Sequence, residues 1–419
     1  MKSNRIAILH YSAPPTIGGV EAVIDAHAKV FIGKGYSVSV IAGTGDHGSL
    51  APADYNHLPM LDSQHQQILK MSAALESGCV PGVFEAVVNE LVEGLRLILN
   101  QFDHLIVHNV FTKHFNLPLT AALQRLLEEG SIRHTIAWCH DLTWTSPNSR
   151  SKVYPGYPWD LLRTQRKDVS YVAVSERRQR ELAELFECPI DQIKVIYNGV
   201  DPRELLALSQ PGFELITRMD LLDSDLILLM PVRVTKAKNI EYAMRVLAVL
   251  KSNYSKPKLV LTGPPDPHDA DNMNYFRSLL DMRVKLGLEN EMRFVYESGP
   301  DPAHPYQIDN RVVGDLFRVS DVMFMPSHRE GFGMPVLEAG LVGLPVVSTD
   351  VPASQEIARD NVLIFDAGQP AGETAESIRA MVEANPVSRL RSLVRANYTW
   401  EAIFNRKIKP LLEGGGASS

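Results

Sequence analysis

Residues 325–340 read Met325-Pro326-Ser327-His328-Arg329-Glu330-Gly331-Phe332-Gly333-Met334-Pro335-Val336-Leu337-Glu338-Ala339-Gly340. A buried strand ends at the start of this stretch, a glycine-containing turn follows, and Pro335 stands where the opening of a helix accepts a residue without an N–H. Strand, tight turn and helix in that order are the unit from which a parallel sheet covered by helices is built.

The same unit recurs on both sides. Leu226 to Pro231, Lys258 to Thr262, Met292 to Tyr296, Asp321 to Met325 and Pro345 to Ser348 read as strands alternating with helices. A second series opens the chain. Ile6 to His10 runs through Tyr11-Ser12-Ala13-Pro14-Pro15-Thr16-Ile17-Gly18-Gly19 into a helix at Val20 to Ile32 and a strand at Val38 to Ala42; Leu105 to Val107, Thr135 to Trp138 and Tyr171 to Val174 continue it. Between the series, after Val195-Ile196-Tyr197-Asn198-Gly199-Val200-Asp201, the chain reads as irregular to about Asp223. The 419 residues are too many for one ordinary core. They predict two Rossmann-like, doubly wound α/β domains, 1–205 and 206–396, facing a central cleft in which ligands meet the carboxyl ends of the strands.

Composition narrows the class. Hydrophobic residues at 45% and charged residues at 22% are those of a globular α/β protein. A net charge of -7 argues against a nucleic-acid partner and a basic membrane-surface protein, both of which need clustered Lys and Arg. Cys79, Cys139 and Cys188 have no CxxC spacing, which indicates neither a disulfide framework nor a zinc site and fits a reducing cytoplasm. Ile6 to Leu9 is a short strand and not a signal-peptide core, and no apolar run approaches the roughly 20 residues that cross a bilayer. Gln66 to Phe102 has helical apolar spacing but carries Glu76, Glu85, Glu90 and Glu93, which favours a core-packed helical pair over a membrane anchor. Gly414 to Ser419 reads as a flexible tail.

The chemistry concentrates at predicted strand ends. The turn at Gly331 to Pro335 faces a helix N-terminus, whose unpaired N–H groups and dipole suit an anion such as a diphosphate, and Gly331 and Gly333 permit close approach. Glu330 and Glu338 flank it. Carboxylates are poor phosphate ligands but good acceptors for sugar hydroxyls; the plainer alternative has Glu330 capping the turn and Glu338 complementing the helix dipole. Arg233 and Lys238 follow the first strand of the second series and can neutralise a leaving diphosphate in place of a metal, or form a solvated basic turn. Gly18-Gly19 matches a phosphate-approach turn without a full GxGxxG. His140, after the strand Thr135 to Trp138, can donate a hydrogen bond to a sugar or serve as a satisfied structural histidine. Trp144, Tyr154, Tyr157 and Trp159, interspersed with Arg150, Lys152 and Arg163, suit either an acceptor surface or a packed loop.

Taken together, Gly18-Gly19-Val20-Glu21, the His140 strand end, Asn198-Gly199-Val200-Asp201, the Arg233/Lys238 pair and the Glu-x7-Glu spacing of Glu330 and Glu338 resemble the retaining glycosyltransferases of family four, which have the GT-B fold. The resemblance implies that Asn397 to Phe404 begins a crossing helix, 397–413, that returns to the first domain. It implies that Arg233 and Lys238 hold a donor diphosphate, that Glu330 holds the transferred sugar and Glu338 the ribose, and that Gly331, Phe332, Gly333, Met334 and Pro335 hold phosphate and sugar through their backbone. Gly18 and Gly19 would approach the phosphates, His140 would lie near the reacting sugar, and Val295 to Ser298 would cradle the base. The expected partners are a UDP- or GDP-linked sugar and a small soluble acceptor, with no other cofactor and no metal. An epimerase or glycan phosphorylase of the same fold, or a catalytically silent sugar-nucleotide-binding subunit, are the competing expectations.

Overall fold

The computed structural model describes residues 4–266, 271–301 and 303–414. Residues 415–419, most of the expected flexible tail, lie outside the described residues. The chain forms two compact units, Met1–Gly199 with Ile403–Ser419, and Val200–Ala402.

The first unit is built on β1 (Arg5–Leu9), β2 (Ser37–Ala42), β3 (Asp54–His57), β4 (His104–His108), β5 (His134–Cys139), β6 (Val169–Ala173) and β7 (Ile193–Val195), in the order β3-β2-β1-β4-β5-β6-β7. The second has β8 (Leu226–Met230), β9 (Pro257–Leu261), β10 (Met292–Phe294), β11 (Val322–Met325), β12 (Val346–Thr349) and β13 (Leu363–Phe365), in the order β10-β9-β8-β11-β12-β13. Neighbours in both sheets run parallel, so helices must cover both faces. Burial follows. In β8, Leu226, Leu228 and Met230 enter one apolar cluster while Ile227 and Leu229 enter another on the opposite face, and Ile6 and Ile8 divide from Ala7 and Leu9 in the same way in β1. Each fully buried Leu, Ile or Met side chain among them contributes roughly 1.5–3 kcal/mol.

Both are therefore Rossmann-like sheets, wound outward in two directions from a central pair. The winding reverses between β1 and β4 and again between β8 and β11, and at such a reversal the flanking loops leave in opposite directions and open a crevice.

Two sequence readings are corrected. The strand expected over Met292 to Tyr296 stops at Phe294, because Val295–Glu297 tightens into a helical turn. The stretch after Asp201 is not irregular but carries helices at Pro202–Leu205 and Gln210–Arg218; Ser209 caps the second of these, and its hydroxyl is held 2.5 Å from the buried Asp315 carboxylate. Gln66–Glu76 and Phe84–Leu99 are helices, the latter burying Phe84, Val87, Val88, Leu91, Val92, Leu95 and Leu99. Trp400 to Glu413 is helical throughout, and Ile403, Phe404, Ile408, Leu411 and Leu412 join the core of the first unit.

One buried ion pair fixes the start of both strands that border the second crevice. Arg395 sets its guanidinium 2.6 and 3.0 Å from the Asp321 carboxylate and donates to Ser224 O at 2.8 Å, while the same carboxylate accepts the Ile227 N–H at 2.8 Å. Arg395→Ala leaves that carboxylate buried and unpaired, which costs about 3–5 kcal/mol. Denaturant unfolding of the variant is expected to show an earlier transition for the second unit; an unmoved midpoint contradicts this role.

Candidate active site

At the reversal in the second unit, the loop after β8 carries Arg233 and Lys238, and the loop after β11 carries His328 to Gly333. The loops are joined twice. The His328 N–H donates to Ala237 O at 2.9 Å, and Lys238 Nζ lies 2.8 Å from both Glu330 oxygens. The Glu330 side chain is nearly buried and that of Lys238 mostly so. Arg233 is the exposed member of the set, with Asp266 at 3.8 Å. Lys238, Glu330, Gly331, Arg329, Asp266 and Tyr275 line a cavity of about 690 Å³.

The glycine turn behaves as its sequence suggests. Gly333 has φ 81°, a left-handed conformation that leaves the following helix, Met334–Leu341, to start at once, with Pro335 in its first turn. The amides of Gly331, Phe332 and Gly333 donate to no carbonyl or side chain among the described residues. A Cβ at Gly331 would meet nothing within 4 Å, so the space beside the turn is open. Glu338 is exposed in the second turn of the helix, and Phe332 and Met334 are exposed ahead of it. Three amides without an acceptor among the described residues and the Lys238–Glu330 pair thus stand together on the loops after β8 and β11, with Arg233 on the first of these loops and Glu338 further along the helix.

Gly263, unremarked in the sequence, positions this edge. A Cβ there would fall 2.6 Å from Val232 O and 2.9 Å from Arg233 N, so only glycine lets the turn after β9 pack on the Arg233 segment. The Thr262-Gly263-Pro264-Pro265 punctuation marks a turn, but its purpose emerges only once β8 and β9 are paired.

In the first unit, the turn from β1 ends at Gly18 and Gly19, which open the helix Gly19–Gly33. Gly18 is extended, and a Cβ on it would collide with the Glu21 carboxylate, which Ser12 Oγ holds at 2.5 Å; Gly19 faces open space. His140 follows β5 and is buried, with its Nε2 3.0 Å from Nδ1 of His108, the last residue of β4. His10, after β1, places its Nδ1 2.9 Å from His108 O, and His27 lies against the rings of His108 and Trp138. Asn109, at φ 60°, accepts the N–H groups of both His140 and Asp141, at 2.8 and 3.1 Å. One ring nitrogen of His140 is therefore engaged inside the protein. His10, His108 and Asn109 were not legible as partners; the asparagine just past a strand, where it tolerates a left-handed turn, was the one available signal. Trp144 is sandwiched between Arg150 and Arg163, at 4.4 and 4.3 Å, and donates to Trp159 O, while Tyr154, Tyr157 and Lys152 bond to Glu76 and Glu85. That segment is a packed loop over the helices Gln66–Glu76 and Phe84–Leu99.

Two parallel Rossmann-like sheets, each with a winding reversal at its centre, define the doubly wound α/β class of protein. The family model described as Glycosyltransferase Family 4 matches residues 17–204, and that described as Glycosyl transferases group 1 matches residues 218–400. The chain belongs to the glycosyltransferase family that joins these two modules. It is 29% identical over 193 residues to an uncharacterized glycosyltransferase of Methanocaldococcus jannaschii, covering 46% of this chain and 45% of that one. A D-inositol 3-phosphate glycosyltransferase of Stackebrandtia nassauensis is 30% identical over 176 residues, 41% of this chain and 36% of the relative. A mannosylglucosylglycerate synthase of Petrotoga mobilis is 24% identical over 283 residues, 64% and 63% of the two chains. The matches thus span less than two thirds of the length of these relatives.

Burial holds the histidines neutral. It pulls His140 down to about 4, with His10 adding to the shift and Asp141 opposing it, and pulls His27 to about 3 with help from His140; His108 is lowered for the same reason. In the unfolded chain these rings take protons near pH 6.5, well before the folded protein does. Their contribution is complete above that pH and is lost as the pH falls toward 4, by up to about 1.4 kcal/mol per pH unit for each ring. The melting temperature of the first unit is expected to fall steadily from pH 7 to pH 4, and a flat profile contradicts the burial of neutral imidazoles.

Proposed function

We propose that the chain is a retaining, metal-independent hexosyltransferase that moves a sugar from a UDP- or GDP-linked donor to a small soluble acceptor such as a sugar, a sugar phosphate or a polar acid. The observation that carries this reading is the Lys238–Glu330 contact beside the three unpaired amides of Gly331 to Gly333. It couples a phosphate-binding charge to a hydroxyl-binding one. A donor diphosphate settling on the amides and the helix start draws Lys238 and the exposed Arg233 to itself. Glu330, released from Lys238, then accepts hydrogen bonds from the hydroxyls of the transferred sugar, and Glu338, further along the helix, takes the ribose.

No side chain here stands as an obvious nucleophile, and the reaction is read as a front-face displacement. The bond from the anomeric carbon to the diphosphate oxygen breaks toward Arg233 and Lys238. The acceptor hydroxyl oxygen bonds to the same face of that carbon, and its proton passes to the departing diphosphate oxygen. Once drawn to the bound donor, the two cations join the amides before charge develops, which is where such sites gain most of their acceleration. His140, kept neutral at pH 7 by burial, is assigned a hydrogen-bonding role toward substrate rather than a charged one. Family membership and relatives named as glycosyltransferases support transfer over epimerisation or phosphorolysis. The three cysteines, none of them in a disulfide, fit action in a reducing cytoplasm.

Arg233→Ala and Lys238→Ala are each expected to lower kcat by about 10²–10³-fold with unchanged circular dichroism, and Glu330→Gln to lose transfer while remaining folded. NMR of the product should show the donor's anomeric configuration, with or without EDTA. Unchanged kcat in both cation variants contradicts the reading. A thermal-shift panel of nucleotide sugars identifies the base, since a ligand at a hundredfold excess over its Kd stabilises by roughly 2.7 kcal/mol.

A further inference from the structure

Lys113 lies in the turn after β4, its N–H bonded to Asn109 O at 2.9 Å and its carbonyl accepting from the Tyr11 hydroxyl at 3.4 Å. Its ammonium stands 4.7 Å from the centroid of the exposed Phe115 ring. The side chain is only partly accessible, yet among the described residues no carboxylate pairs with it. The acids nearby are already engaged. Asp141 and Glu181 hold Arg178 at 2.9 and 2.6 Å, and Glu76 holds Lys152 at 3.1 Å with His114 at 3.3 Å. Burial pulls Lys113 below the ordinary lysine value; Asp141 opposes that, and the charges of Arg178 and Lys152 add to it.

A partly buried ammonium with no carboxylate paired to it among the described residues gains a charge-assisted partner when an anion arrives. Its position says when that would happen. Asn109, whose carbonyl holds the Lys113 N–H, also accepts the N–H groups of His140 and Asp141, so the Lys113 turn and the His140 strand end are tied to one side chain and its backbone. Lys113, Asp141 and Arg178 follow three adjacent strands, β4, β5 and β6, at their carboxyl ends.

We propose that Lys113 is the subsite for an anionic group on the acceptor, a phosphate or a carboxylate, and that the chain therefore glycosylates an acid and not a neutral sugar. The proposal rests on the reading of the chain as a glycosyltransferase, and the test separates the two. The full chain, saturated with the nucleoside diphosphate that the thermal-shift panel selects so that the second unit is occupied, is titrated by calorimetry with inorganic phosphate, D-glycerate or glycerol. At least one anion is expected to bind and glycerol not to; phosphate binding more tightly indicates a phosphorylated acceptor, glycerate a carboxylate. Lys113→Gln should weaken the anion by about tenfold or more, Lys113→Arg should recover most of the loss, and nucleoside diphosphate affinity should be equal in all three proteins. An anion that binds Lys113→Gln as well as the native chain, or no anion binding at all, overturns the subsite. If no nucleoside diphosphate binds, the transferase reading falls instead, and the anion titration of the unliganded chain still decides the fate of Lys113.

Discussion

Reversal of winding between β8 and β11 is the constraint from which the rest of the second unit follows. Two adjacent parallel strands whose crossovers leave in opposite directions cannot cover the gap between their own loops. The chain closes that gap with charge. Lys238 and Glu330, 92 residues apart in sequence, meet there at 2.8 Å, and the His328 N–H joins the loop backbones beside them. Around this pair the other requirements fall into place. Gly263 lets the Arg233 segment lie close, Gly333 turns the chain into its helix without delay, and the Arg395–Asp321 contact anchors the far ends of the same two strands.

The first unit meets the same constraint between β1 and β4 with different chemistry. Instead of an ion pair, it packs His10, His27, His108 and His140 into a neutral cluster over Trp138. Outside this cluster, Lys113 and Arg178 follow the neighbouring strands. One sheet edge thus presents donors and fixed charge suited to a diphosphate, and the other presents neutral hydrogen-bonding rings with cations alongside.

Much of this was legible in the sequence because buried parallel strands are continuous apolar runs: Leu226 to Met230 or Ile6 to Leu9 have no other economical reading. What escaped has physical causes. β3, β7 and β13 are short and sit at or beside sheet edges, and Asp54-Tyr55-Asn56-His57 has no apolar run; such strands are defined by the neighbour that pairs with them. The helix Gln210–Arg218 hides behind Ser209-Gln210-Pro211-Gly212, which reads as a loop until the serine is recognised as a cap. In the site, the charged residues at strand ends were visible individually, because the carboxyl end of a parallel strand is where chemistry sits. Their pairings were not. Lys238 with Glu330, and His108 with His140, are consequences of sheet register, which no local pattern reports.

The central claim is that the Lys238–Glu330 bridge occupies the donor site and is exchanged for substrate. The most direct measurement is a crystal structure of the chain with a bound nucleotide sugar. The account predicts the diphosphate within hydrogen-bonding distance of Arg233, Lys238 and the amides of Gly331 to Gly333, with Glu330 turned from Lys238 to a sugar hydroxyl. A diphosphate bound elsewhere, with the Lys238–Glu330 bridge intact, contradicts it.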